Sequence, residues 1–199
     1  MKKLSTYLFL ILLSFSAPSF ADDISEYEIE GISIGDSLLD HLSKEEIITE
    51  IEINKPAYNY LTEDFGEVYL FSKFEIYDVV SFFVKPNDKK YLIYYIGGTI
   101  YYDNNIKECY IKQKEIAQDF SQVFENSKKD GPHKMKHLDV DPSGESIYTD
   151  IYFEMDDNYS VIISCYDYSD HLESQNRVDF LGIVIRSQKF DKWLSKPTK

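Results

Sequence analysis

What most constrains the fold of this chain is an order of elements that occurs twice: amphipathic helical sequence, then three short stretches rich in aromatic and β-branched residues. In the first round, Gly35-Asp36-Ser37 supplies turn and N-cap chemistry for Leu38, Leu39 and Leu42. Ser43-Lys-Glu-Glu46 then has the spacing of a capping box, which starts a helix through Glu52, with Pro56 as its stop. Val68 to Phe74, Ile76 to Lys85 and Lys90 to Ile96 read as strands, and Pro86-Asn-Asp-Lys89 as the hairpin turn between the last two. Gly97-Gly98 is either a two-residue hairpin loop or a bulge inside one strand running to Tyr102. The bulge is favoured, because Thr99 to Tyr102 is short for a separate strand.

The second round opens with Asn105 and Glu108 as an N-cap pair. Ile106, Cys109, Tyr110, Ile116, Ala117, Phe120, Val123 and Phe124 follow at three- and four-residue spacing, with Gln113 as the polar member of the stripe. Lys128 to Ser146, which contains Gly131-Pro132 and Asp141-Pro-Ser-Gly144, reads as a polar loop. Strands are expected from Ile147 to Met155, Tyr159 to Tyr168 and Val178 to Ser187, with Asp156-Asp-Asn158 as a hairpin turn. A short helix from Lys189 to Leu194 carries Phe190, Trp193 and Leu194. Ahead of both rounds, Tyr27 to Ile34 alternates as a short strand or extended lead-in. Short turns give antiparallel meanders, and amphipathic helices are what is available to cover them. The expectation is an α+β domain of two successive helix-β-β-β units, the helices packed on one face, with a short C-terminal helix. One sheet or two remains open.

Residues 1–21 carry an address. Lys2 and Lys3, the apolar run Leu8 to Leu13, and small residues at Ser19 and Ala21 form the three-part pattern of a secretory signal peptide cleaved between Ala21 and Asp22. The other reading is an uncleaved anchor or a buried N-terminal helix, but a span needs ~20 apolar residues, more than precede Asp22-Asp23. Cleavage leaves residues 22–199 as one domain, expected in the periplasm or secreted, with no integral membrane segment. The net charge is −14, and losing Lys2 and Lys3 makes it more acidic still. Such a surface repels phosphate backbones and anionic lipid, so nucleic acid and anionic membranes are poor partners. Cations and basic protein patches remain possible, beside a plain role in solubility.

The candidate chemistry is sparse. An even pair of cysteines, Cys109 and Cys165, in an exported chain favours a disulfide, with two separate buried thiols as the alternative. Asp139-Val-Asp141-Pro-Ser143-Gly144 resembles the opening of a calcium loop, making Asp139, Asp141 and Ser143 candidate ligands. However, Ser146 and Asp150 stand where that loop needs other residues, and Asp-Pro-Ser-Gly is also what a type I turn wants. His133 and His137 have i, i+4 spacing but no placed third ligand, and a solvated loop pair explains them as well. There is no phosphate-cradling glycine loop and no His-Glu-x-x-His, and no cofactor is implied. The 17 tyrosines against one tryptophan cluster in strand-like stretches, suiting half-buried strand faces or an aromatic binding surface.

Glu30-Gly-Ile-Ser-Ile-Gly-Asp-Ser-Leu-Leu-Asp-His-Leu-Ser-Lys-Glu-Glu-Ile47 resembles the start of an uncharacterised family of small exported bacterial proteins. The Cys109 helix and the Cys165-Tyr-Asp-Tyr segment are similar to later parts of that family, which implies no activity. The Ile34-Gly35 entry also resembles, by element order, small periplasmic modules of outer-membrane assembly lipoproteins and of a secreted β-lactamase inhibitor, though no lipobox cysteine is present. Fold analogy does not transfer function. The expected function is a non-catalytic exported module that binds a protein or small molecule. The alternative is a small periplasmic hydrolase whose site assembles only in the fold.

Overall fold

Seven antiparallel strands hydrogen-bond into one sheet in the order β1-β2-β3-β7-β6-β5-β4. They are β1 (Gly66–Phe71), β2 (Val79–Val84), β3 (Ile93–Tyr101), β4 (Lys128–Lys136), β5 (Ile147–Glu154), β6 (Tyr159–Asp167) and β7 (Phe180–Ser187). The helices are α1 (Lys44–Asn54), α2 (Ile106–Val123), α3 (Asp170–Glu173) and α4 (Gln188–Leu194). The computed structural model describes residues 24, 27–58, 64–71, 74–103, 105–155 and 158–196. The expected cleavage site at Ala21-Asp22, and Asp156-Asp157 of the expected hairpin turn, lie outside them.

The two meanders are present, and they join at the centre, where β3 pairs with β7 from Tyr95↔Arg186 to Tyr101↔Phe180. The capping box forms as the sequence requires: Glu46 N–H donates to Ser43 Oγ, and the Ser43 N–H donates to Glu46 Oε2 at 2.8 Å. Ile47 and Ile51 bury the inner face of α1. Asn105 opens α2 without a side-chain cap hydrogen bond. The lead-in is a tight turn rather than a strand. Ile29 and Ile32 exchange both backbone hydrogen bonds around Glu30 and Gly31, which sit at φ 55° and 77°.

Three expectations are corrected. First, Lys128–Lys136 is an edge strand, not a loop, so the second unit is one helix with four strands. Its lysines and Pro132, with a register shift between Asp130 and His133, are how an edge avoids pairing with other chains. That protective composition is what reads as loop. Second, Gly97 and Gly98 are neither turn nor bulge. They pair regularly with Ser81 and Val80, and the register shift falls at Phe83/Val84 instead. Glycine is needed because a Cβ at 98 would overlap the Tyr77 ring, and one at 97 would sit 2.9 Å from the Tyr95 hydroxyl.

Third, the helices do not share one face. The N-terminal isoleucines, α1 and α2 cover the side bearing Val68, Phe82, Ile96, Ile163, Leu181 and Ile185. On the opposite side, Phe190 and Trp193 of α4 pack with Phe65, Phe83 and Tyr95. Strand alternation makes this possible, since Phe82 and Phe83 point to opposite faces and each needs its own cover. Cys109 and Cys165 are bridged, with Cα atoms 6.0 Å apart, which ties the first turn of α2 to β6. Gln113, one turn on, donates its amide to the carbonyls of Thr149 and Ile163. The polar residue in the stripe thus pins the helix to two strands.

Candidate functional site

The strand registers place four rows of side chains on the sheet face opposite α2. One row runs Met135, Tyr148, Tyr166, Phe180 and Tyr101 across β4, β5, β6, β7 and β3. The next runs His133, Asp150, Ser164, Gly182 and Thr99 along the same strands. The third includes Tyr152, Ile162, Val184 and Gly97, and the last Glu154, Ser160, Arg186 and Tyr95. Helix α4 roofs the β1–β3 end of the last row.

The first row is a continuous aromatic track. Tyr148 stacks on Tyr166 at 5.7 Å between centroids, and Tyr166 stacks on Phe180 at 4.3 Å. The His137 ring leans on Tyr148 and Tyr166 at 5.4 and 5.6 Å and stacks on Tyr168 at 6.2 Å. Tyr101, at the far end, is 45% exposed. Stacked in this way the rings cover one another's faces and turn edges and tyrosine hydroxyls outward, and aromatic residues of this kind are enriched in binding sites.

Beside the track lies Asp150, 4% exposed. Its Oδ2 accepts from the Tyr152 hydroxyl at 2.9 Å, and its Oδ1 meets no donor among the described residues. A buried carboxylate oxygen without a donor is costly and calls for an explanation. Burial and the Asp150 charge push the Tyr152 hydroxyl up to about 12 and raise Tyr166 as well, so both stay protonated as donors at neutral pH. Burial lowers the His137 pKa, which keeps that ring neutral at pH 7.

A polar cleft of about 690 Å³ adjoins the last row. Its charges pair with one another: Arg186 Nε donates to Ser160 Oγ at 3.2 Å and pairs with Asp191. Burial raises the Asp191 pKa against the pull of that guanidinium.

The calcium-loop candidates do not converge. Asp141 Oδ1 accepts from the Ser143 N–H and hydroxyl, and Oδ2 accepts from the Ser146 N–H and hydroxyl. Those bonds, Ser143's first, hold its carboxyl far below the usual range, and they complete a turn. Asp139 makes none of these bonds. Among the described residues, no group of three or more His, Cys, Asp or Glu side chains is placed to hold a metal ion. His133 lies on β4 against Asp130 at 3.0 Å, and His137 lies beyond the strand end in the aromatic cluster.

The tyrosines divide between the two readings. Tyr91, Tyr102 and Tyr159 pack into or against the main core, and Tyr94 and Tyr95 pack under α4. Tyr101, Tyr148, Tyr152 and Tyr166 line the open face. The residue missed from the sequence is Asp150. Its signal was the alternation Tyr148-x-Asp150-x-Tyr152, which puts all three on one strand face. No family model, no curated protein and no solved structure matches the chain.

Proposed function

We propose that this chain is an exported, non-catalytic binding module whose contact surface is the open tyrosine face, and that its partner presents lysine or arginine side chains. The observation that carries the reading is the aromatic track of Tyr148, Tyr166, Phe180 and Tyr101 alongside the donor-free oxygen of buried Asp150. A cationic side chain placed over the exposed Tyr101 ring gains cation–π attraction. Asp150, buried one register row away, adds negative potential beneath that contact. The net charge of −14 draws such a partner in from a distance. Export rests on the pattern of residues 1–21, in keeping with a disulfide-bonded fold. Among the described residues no helix is long and apolar enough to cross a membrane.

The test compares tagged wild type with a Tyr148→Ser/Tyr101→Ser variant as bait in extract from the compartment it is exported to. A basic partner should be captured by wild type, lost from the variant, and released as salt is raised. An identical captured set for both baits overturns the surface assignment. N-terminal sequencing of the protein from expressing cells should begin at Asp22, and full-length chain in the cytosol would contradict export.

A further inference from the structure

The second candidate surface lies on the other side of the sheet. Helix α2 packs over β6 and β7, and its flank overlooks the inner faces of β5 and β4 across a groove of about 800 Å³. That volume is in the range of small-molecule sites. The floor is apolar, built from Ala117, Ile151, Pro132 and the ring of Tyr110. The buried Gln113 of the lining is already engaged: its amide donates to the Thr149 and Ile163 carbonyls. The rim is basic. Lys114 stands on the helix side and Lys129 and Lys134 on the strand side, and no carboxylate lines the groove. Among the described residues none of these lysines forms an ion pair; Lys129 lies over the Phe153 ring at 5.6 Å. In a chain with 35 acidic and 21 basic residues, an all-basic rim is against the grain of the composition.

We infer that this groove binds a single-chain anionic amphiphile, its alkyl tail along the α2 flank and its carboxylate among Lys114, Lys129 and Lys134. From Tyr110 to Ser121 the flank runs about 16 Å at the helical rise, room for an extended tail. A peptide is a poorer fit, because its backbone amides would be buried against Ala117, Ile151 and Pro132, whose side chains offer them no partner. The lysines suit a carboxylate as flexible point charges on apolar stems that themselves extend the floor. The site is independent of the tyrosine face, so either assignment can fail without the other.

The experiment is calorimetric titration of the protein from residue 22 onward with laurate below its micellar concentration. Dodecyltrimethylammonium serves as the charge-reversed control. Saturable laurate binding is expected, with little from the cationic amphiphile and at least a tenfold weakening in Lys114→Glu/Lys134→Glu. Both lysines are exposed, so the variant should fold, and a melting temperature near wild type checks this. Trp193 lies in the α4 cluster on the opposite face, so its emission should stay constant during binding and change only if the amphiphile unfolds the protein. Vesicles rich in anionic phospholipid form a second arm: binding to free laurate alone identifies a carrier groove, and binding to vesicles as well identifies a lipid-surface contact using the same headgroup chemistry. No saturable laurate heat, equal affinity for the cationic amphiphile, or an unchanged affinity in the lysine variant overturns the inference.

Discussion

At β1–β3 the sheet has cover on both faces, from α1 and the N-terminal isoleucines on one side and from Phe190 and Trp193 over Phe83 and Tyr95 on the other, with Tyr101 left exposed at the end of β3. Across β4–β7, α4 meets the outer face through Asp191 at Arg186 and Ser160, Tyr148 and Tyr166 stay half-buried, and on the inner side a groove separates the α2 flank from β4. The sequences differ accordingly. Val79–Val84 (VVSFFV) is close to a continuous apolar run, as a strand buried on both faces must be. Ile147–Glu154 (IYTDIYFE) alternates, sending Tyr148, Asp150 and Tyr152 outward. The groove lies on the less covered half, and so does the tyrosine row except for Tyr101 of β3.

The largest effect should come from opening the closed half. Phe190→Ala removes the ring that touches Phe65, Phe83, Tyr95 and Trp193, and should cost about 3–5 kcal/mol of stability. Chemical denaturation measures it; a loss under 1 kcal/mol would mean that α4 merely decorates the outer face.

Next comes the pin on the open half. Reduction, or Cys165→Ser, removes the covalent tie between α2 and β6, and loop-closure entropy sets the loss at up to ~4 kcal/mol. Thiol titration of the unreduced, denatured protein should find no free thiols; two per chain would remove the bridge and the comparison with it.

A third probe concerns the turn between β4 and β5. Asp141 has its carboxyl held low in the folded state, so it stabilises the fold above the ordinary carboxylate pKa of about 3.9, and that contribution is lost as the pH falls below it. Asp141→Asn should therefore lower the melting temperature at pH 7 and narrow the difference between pH 7 and pH 3. Parallel pH profiles for the two proteins would show that the hydroxyl bonds of Ser143 and Ser146 leave its titration unchanged.

The smallest effect contrasts the two sheet edges. Edge β4 carries lysines and a proline, whereas β1 (GEVYLF) is apolar and has its backbone satisfied by α1: Tyr69 N–H donates to Glu50 Oε2 and Asn54 donates to the Glu67 carbonyl, both at 3.3 Å. Glu50→Ala should cost about 1 kcal/mol or less yet raise aggregation on concentration, read by light scattering. Unchanged scattering would mean that the helix backbone alone shields β1.

The legible parts of this fold are those where one local interaction decides the outcome. Ser43 and Glu46 announce a helix start whatever packs on it, and the Cys109 stripe faces β6 because the stripe is apolar. What stayed hidden depends on neighbours distant in sequence. Edge strand β4 looks like a loop until β5 is there to pair with it, and Gly98 looks like a turn until the Tyr77 ring is known to lie over it. The outward face of α4 was hidden likewise, since an apolar stripe of Phe190 and Trp193 says that a helix is covered without saying from which side. In the sequence Asp150 stands only at a distant calcium-loop position, because its rank beside Tyr166 and Ser164 exists only in the register of β5 on β6.

The seam between β3 and β7 governs the order in which this molecule can assemble. Every other strand pairs with a neighbour close in the chain, but Tyr95 waits for Arg186 and Tyr101 for Phe180. Until β7 has been made, the first meander ends in β3 (IYYIGGTIY), a nine-residue edge without proline or charge. Folding is therefore gated by a late, long-range contact, the kind that slows two-state kinetics. A chain cut short before residue 180 would keep β3 unpaired, and its partial products would be prone to join one another through that edge.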